Sequence, residues 1–312
     1  MTGVTRRRVC AALAATALTG CGPRGRFVTA RHAGPARRII LATNREGLGL
    51  GAARGETLRY AALDIAVPTD RAPGTLPIGP DGFALAGTEG LDGTGLDAEL
   101  RHSGEPTLWI HGYNNTPAEA VYRHAQLATD LDLMGPQISF VWPSGASYGG
   151  YVQDRDSALH ARGAGEQLVR EIAARAGRPS IVLAHSMGAF LIMEALRSAR
   201  LRGAPLNAAL GGVVLIQPDI DVDVFVSQAR DAAPLPPTAV IIRRDDAVLR
   251  ASARLSGRPD RLGSTGDLAA IKALGIRILD LTGLEDASVD HLSVLTSPSA
   301  LELIRSIRLA DG

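Results

Sequence analysis

Cysteine is almost missing from this chain of 312 residues, with only Cys10 and Cys21 present. A disulfide scaffold is therefore excluded as the source of stability, which must come from a packed core. Aromatic residues are also scarce, at 4%, and 33 basic residues against 32 acidic ones leave a formal charge of +1. With no basic stripe interleaved with aromatics, nucleic acid is not expected as a partner. The seven histidines show no zinc-ligand spacing. Asp156 and His160 can share a helix face, but two ligands make no metal site, and neither metal nor cofactor is expected.

What is present is ample for one α/β domain, because 46% of the residues are hydrophobic and 21% charged. At the N-terminus Arg6, Arg7 and Arg8 precede an apolar run from Val9 to Thr19. That run is too short to span a bilayer and has the basic, then apolar, then small-residue order of an export signal. Leu18-Thr19-Gly20-Cys21 resembles the lipobox of bacterial lipoproteins, which implies diacylation of the Cys21 thiol and cleavage in front of it. Thr5-Arg6-Arg7 loosely resembles a twin-arginine signal.

Residues 1–20 are thus expected as a signal peptide, residues 21–36 as a flexible tether rich in Gly and Pro, and residues 37–312 as a single domain. Cleavage takes away three arginines and no acid, leaving a charge of about −2. The expected location is the cell envelope, on a membrane reached through Cys21.

Short apolar runs at 38–42, 58–67, 107–111, 138–142, 180–184, 212–217, 239–243 and 276–281 read as strands. Helices are expected at 117–131, opened by Thr116 as cap and Pro117, and at 154–176, 187–200 and 299–309. The stretch 68–105, rich in Gly, Pro and Asp, is expected to be a long surface excursion with little regular structure. From Pro106 onward strands and helices alternate, which indicates a parallel sheet covered on both faces and a catalytic core over 106–312. Such sheets carry their ligand sites at the carboxyl ends of the strands.

Ile181-Val182-Leu183-Ala184-His185-Ser186-Met187-Gly188 runs from apolar strand through a sharp turn into a helix. This is the context of a nucleophile elbow, with Ser186 as nucleophile and small residues, Ala184 and Gly188, on either side. His185 is read as a packing residue beside the site, not as its base. Upstream, Trp109-Ile110-His111-Gly112-Tyr113-Asn114 ends a strand where an oxyanion turn belongs, so the amides of Tyr113 and Met187 are the expected oxyanion donors. His111, Gly112, Asn114, Tyr148 and Tyr151 are candidates for the pocket lining, with Asp154 beside them. Past Ser186 the chain has one histidine, His291, which is the expected base. For the acid, Asp246 after the strand at 239–243 is preferred, with Asp245 and Asp219 as alternatives.

Gly47-Leu48-Gly49-Leu50-Gly51-Ala52 matches a dinucleotide fingerprint in form only, because no phosphate-binding helix fits before the strand at 58. The whole set of blocks is more specific than the elbow. Ala-Thr-Asn-Arg at 42–45, Trp-Ile-His-Gly-Tyr-Asn at 109–114, Val-Trp-Pro-Ser-Gly at 141–145 and Ala-His-Ser-Met-Gly at 184–188 form its first part. Tyr151 to Ala158, Pro-Asp-Ile-Asp at 218–221 and Asp-Asp-Ala-Val-Leu at 245–249 complete it. Over roughly residues 37–309 this resembles the bacterial α/β-hydrolase family of unknown function, esterase- or lipase-like. The resemblance implies the α/β-hydrolase fold and the triad Ser186, Asp246 and His291. The expected activity is hydrolysis of a small-molecule carboxylic ester through an acyl-enzyme. Thioester or amide hydrolysis, acyl transfer, and a catalytically idle scaffold are the alternatives.

Overall fold

The computed structural model describes residues 24–31, 34–47, 53–255, 257, 260–266, 268–284, 286 and 291–309. The signal peptide, the lipobox with Cys21, and most of the Gly47–Ala52 stretch lie outside the described residues. One nine-stranded sheet organises the rest, in the order β3-β2-β1-β5-β4-β6-β7-β8-β9. The strands are β1 (Ala36–Arg45), β2 (Arg54–Ala66), β3 (Ala84–Leu91), β4 (Thr107–Ile110) and β5 (Gln137–Phe140), then β6 (Ser180–His185), β7 (Leu210–Ile216), β8 (Thr238–Ile242) and β9 (Arg277–Asp280). Only β1–β2 and β2–β3 pair antiparallel; every pairing from β1 through β9 on the other side is parallel. Because β1 and β2 are antiparallel neighbours, the Gly47 stretch joins a hairpin and not a βαβ unit.

The central parallel strands β4 to β8 are mostly apolar and buried because both faces are covered. Along β4, Leu108 and Ile110 face one cluster while Trp109 faces the other. The first cluster packs against α1 (Gly93–Leu100), α3 (Tyr151–Ala176), α4 (Met187–Leu201) and α5 (Val222–Ala232). The second packs Trp109 and Leu183 against α2 (Pro117–Asp130), α8 (Ser293–Thr296) and α9 (Pro298–Leu309). Two more helices, α6 (Ala247–Leu255) and the single turn α7 (Ala269–Lys272), follow β8. Thr116 caps α2 in a full capping box with Glu119, and Pro117 opens the helix, as the sequence implies. The sheet exchanges β4 and β5 relative to chain order, and the loops after β4, β5, β6, β7, β8 and β9 all emerge at one edge. Among the described residues, no helix is long and apolar enough to cross a membrane.

Two expectations are corrected. The stretch 68–105 is not a featureless excursion, since it supplies β3 and α1. β3 pairs along β2 from Ala66↔Ala84 to Tyr60↔Leu91, and α1 is capped by Asp92 and buries Leu96 and Leu100, one helical turn apart. Sheet pairing overrode a composition of Gly, Ala and Glu that is poor in strand formers. The expected tether is also partly docked. Phe27 packs beneath Tyr122, the Tyr122 hydroxyl accepts from the Val28 amide at 2.8 Å, and the Leu85 amide donates to the Val28 carbonyl at 2.7 Å. The free edge of β3 provides backbone partners, and Phe27 provides apolar area that a Gly- and Pro-rich linker lacks.

Candidate active site

Ser186 sits between β6 and α4 with φ 55° and ψ −119°, a left-handed conformation costly for a side chain by about 1–3 kcal/mol. Its surroundings hold it there. The Ser186 amide donates to the Ile216 carbonyl at 3.0 Å, and its carbonyl accepts from Ala189 at 3.1 Å and Asp219 at 3.2 Å. The elbow also requires a bare backbone two residues on, because a Cβ at Gly188 would lie 2.5 Å from the carbonyl oxygens of both Ile110 and His111. Gly188→Ala is therefore expected to destabilise the protein by about 3 kcal/mol, read from the urea midpoint, since β4 backbone must move to admit the methyl. A midpoint unchanged within error would contradict this packing.

The turn after β4 lies directly on the serine. A Cβ at Gly112 would stand 2.9 Å from the Ser186 Cβ and 2.9 Å from His185 Nδ1, so only glycine permits the approach. The following residues are pinned from outside. Asn114, at φ 58°, donates its amide to Asp154 Oδ2 at 3.0 Å, and the Asn115 side chain donates to the Tyr113 carbonyl at 2.8 Å. Asp154, fully buried in the first turn of α3, also accepts from the Ser144 hydroxyl and the Gly145 amide, both at 2.6 Å. One carboxylate thus locks the loops after β4 and β5 together. Arg45, also buried, backs the second loop by donating to the Ser144 carbonyl at 2.8 Å; burial pushes its guanidinium down, while the Asp154 charge opposes that. Met187, the first residue of α4, is among the amides without an intrahelical acceptor. Around this turn His111 is buried and stacked on Trp142 at 4.8 Å.

His291 is brought to the elbow by its neighbour. The rings of His185 and His291 are 4.6 Å apart, and His185 Nε2 lies 3.2 Å from the His291 carbonyl. A carbonyl only accepts, so His185 Nε2 carries the proton. Burial, then the charge of His291, holds the His185 imidazole well below its ordinary value, so His185 is a neutral platform. This is the packing role read from the sequence.

On the far side His291 Nδ1 meets Asp246 Oδ2 at 2.6 Å. Asp246 is itself fully buried, and its carboxylate accepts from Gln217 Nε2 at 2.5 Å and from the amides of Val248 at 2.8 Å and Leu249 at 3.0 Å. Burial raises its pKa, but the hydrogen bond and charge of His291 and the two amides outweigh this and hold it below the usual carboxylate range. An ionised carboxylate takes the proton side of the ring, so Nδ1 donates and Nε2 keeps its lone pair. His291 Nε2 is buried with no hydrogen-bond partner among the described residues.

The alternative acids are held elsewhere. Asp245 pairs with Arg243 Nε at 2.7 Å, and that hydrogen bond lowers its pKa. Asp219 is buried and accepts from the Ser252 hydroxyl at 2.6 Å and the Tyr151 hydroxyl at 2.9 Å, with Arg261 Nε at 3.3 Å. The Tyr151 hydroxyl is therefore tied into a buried polar network. Tyr148 stands at the rim, exposed.

Residues 94–307 match the family described as alpha/beta hydrolase of unknown function (DUF900). The chain belongs to that family. Its fold is the α/β-hydrolase fold expected from the sequence. No curated protein sequence matches this DUF900 hydrolase. Among solved structures it is similar to carboxyl esterase 2 of the fungus Tuber melanosporum, at 13% identity, covering 97% of each chain, with TM-score 0.48. It is also similar to an esterase of Pyrobaculum calidifontis, at 14% identity over 88% of this chain and 86% of that one, with TM-score 0.45.

Sequence reasoning missed the parts of this DUF900 site that act through other residues. Gln217, fully buried with φ 42°, holds Asp246, and Asp154 holds the turn after β4. The available signal for Gln217 was a polar residue closing the apolar run Val213 to Ile216, at the carboxyl end of a strand. Asp154 reads from sequence only as a residue bordering the pocket.

Proposed function

We propose that this protein is a serine hydrolase that cleaves carboxylic esters, carried in the bacterial envelope as a lipoprotein anchored through Cys21. The observation that carries the reading is the His291 imidazole, fixed by Asp246 through Nδ1 and left with an unpartnered Nε2 beside the Ser186 elbow. In the proposed reaction Ser186 Oγ attacks the acyl carbonyl while His291 Nε2 takes the hydroxyl proton. The amides of Met187 and Tyr113 bind the oxyanion, each worth about 3 kcal/mol in the transition state. His291 then returns the proton to the leaving alcohol, and water hydrolyses the acyl-enzyme by the same path in reverse. Asp246 holds the tautomer and stabilises the imidazolium. The coarse assignment to a hydrolase rests on the family, the serine mechanism on the way these side chains are disposed, and the ester class on the resemblance drawn from the sequence.

A fluorophosphonate probe is expected to label Ser186 in protein lacking residues 1–20, and Ser186→Ala or His291→Ala to abolish labelling. Folded wild-type protein that stays unlabelled would overturn the reading. For the anchor, Cys21→Ser is expected to move the full-length protein from the membrane fraction to the soluble one, and unchanged retention would count against lipidation.

A further inference from the structure

Arg24, the first described residue, is fastened to the rim of the candidate site. Its Nη2 donates to Asn114 Oδ1 at 3.0 Å and to the Asn114 carbonyl at 2.5 Å, and its Nη1 to the Ala146 carbonyl at 3.2 Å. Its Nε pairs with Glu119 at 3.0 Å, and the guanidinium lies 5.0 Å from the Tyr148 ring centroid. Asn114 directly follows the proposed oxyanion donor Tyr113, and Ala146 and Tyr148 belong to the loop after β5. Phe27 and Val28 dock immediately afterwards, so the chain has no slack between Arg24 and the domain.

Cys21 precedes Arg24 by three residues. An extended chain covers about 3.5 Å per residue, so the two Cα atoms stay within about 11 Å of each other. The headgroup region of one leaflet is itself about 6 Å deep. A cysteine whose acyl chains are in the hydrocarbon therefore keeps the Arg24 clamp at the membrane surface. A tether running to residue 36 would have let the domain tumble, and three residues do not.

The clamped edge also exposes apolar side chains among its polar ones. Tyr148 and Val152 are 84% and 72% exposed, and Val248 and Leu292 are exposed as well. They lie in the loop after β5 and at the starts of α3, α6 and α8, at the edge of the sheet that carries Ser186. Isolated exposed apolar residues are ordinary. Four along the one edge to which the anchor is fastened form a surface suited to an interface, and tyrosine favours headgroup depth.

We infer that this edge docks on the bilayer that holds Cys21, and that the substrate is an acyl ester resident in that bilayer, entering the site from the lipid side. The inference rests on the hydrolase and lipoprotein readings above. The ester's acyl carbon bonds to Ser186 Oγ as its alcohol leaves with the proton from His291; water then releases the carboxylic acid, and no other reactant is required.

The test uses lipidated full-length protein from the membrane fraction, reconstituted into phosphatidylethanolamine–phosphatidylglycerol vesicles in a Cys10→Ala background. Single cysteines Tyr148→Cys and Val152→Cys, and Met134→Cys ahead of β5 at the opposite edge, carry an environment-sensitive fluorophore. Spin-labelled lipids are expected to quench the first two at least about threefold more than the third. Equal quenching at all three overturns the inference. Val152→Glu, which suits a helix N-terminus and so should fold, is expected to lower hydrolysis of a long-chain ester in vesicles about tenfold. Its activity on a short soluble ester should stay within about twofold, and equal loss on both substrates also overturns the inference. Fluorophosphonate labelling of the same samples separates the two proposals. Absent labelling defeats the hydrolase reading, whereas labelling with uniform quenching defeats only the docking.

Discussion

Asp246→Asn is expected to lower kcat for ester hydrolysis by about four orders of magnitude, with KM within a few-fold. The reason lies in which ring nitrogen keeps the proton. The Asp246 carboxylate accepts from His291 Nδ1, which leaves the lone pair on Nε2, buried without a hydrogen-bond partner among the described residues. An asparagine amide turned to the same nitrogen donates, so the ring shifts its proton to Nε2 and the base is lost. The fold should tolerate the change, because the variant's oxygen can still accept from the Val248 and Leu249 amides. The Gln217 amide, whose Oε1 is buried without a hydrogen-bond partner among the described residues, can turn over to accept from the new amide.

The neighbouring acids separate this account from a general loss of negative charge. Asp245→Asn should change kcat by less than about threefold, since Asp245 is engaged with Arg243. Asp219→Asn should instead cost stability, by about 3 kcal/mol, because it weakens the pairing of the buried Arg261. Steady-state kinetics with urea melts on the three variants checks the set. A kcat loss for Asp245→Asn equal to that for Asp246→Asn would contradict the assignment of the acid.

The protein is expected to lose about 4 kcal/mol of stability between pH 7.5 and pH 5 from two histidines alone. Burial holds the imidazoles of His111 and His124 down at about 3. In the unfolded chain they titrate near 6.5, so between these values the unfolded state binds more protons and stability falls as pH falls. At pH 5 each is about 1.5 units below its unfolded value, or about 2 kcal/mol per histidine. His185, also buried and neutral, adds in the same direction. Asp246 acts in a lower window, because its depressed pKa supplies stability that is lost only as pH falls below the ordinary carboxylate value. Urea midpoints measured at several pH values check the slope. His124→Leu should recover about 2 kcal/mol at pH 5 relative to its effect at pH 7.5. A slope unchanged by that substitution would contradict a buried neutral His124.

Local pattern carried much of the architecture. Apolar runs of four to seven residues separated by capped helices specify a parallel sheet wherever strand and helix alternate in sequence, as they do after Pro106. The same locality made Ser186 and the turn at Gly112 readable, since strand, bend, small residue and helix follow one another along the chain. It failed where an element exists only through its partner. β3 is poor in strand formers and forms along β2, and Phe27 and Val28 sit in a segment whose composition reads as linker.

The sequence alone determined the alternating fold, the elbow serine and the single downstream histidine. It also placed Cys21 three residues ahead of Arg24, without any sign that this spacing matters. Only the tertiary structure gave three acids of equal chemistry different partners. Asp246 caps the start of α6 and turns inward to His291, while Arg243 draws its neighbour Asp245 aside and Arg261 pairs with Asp219. Adjacent aspartates differ in what surrounds them and not in what they are, and those surroundings come from segments far apart in the chain.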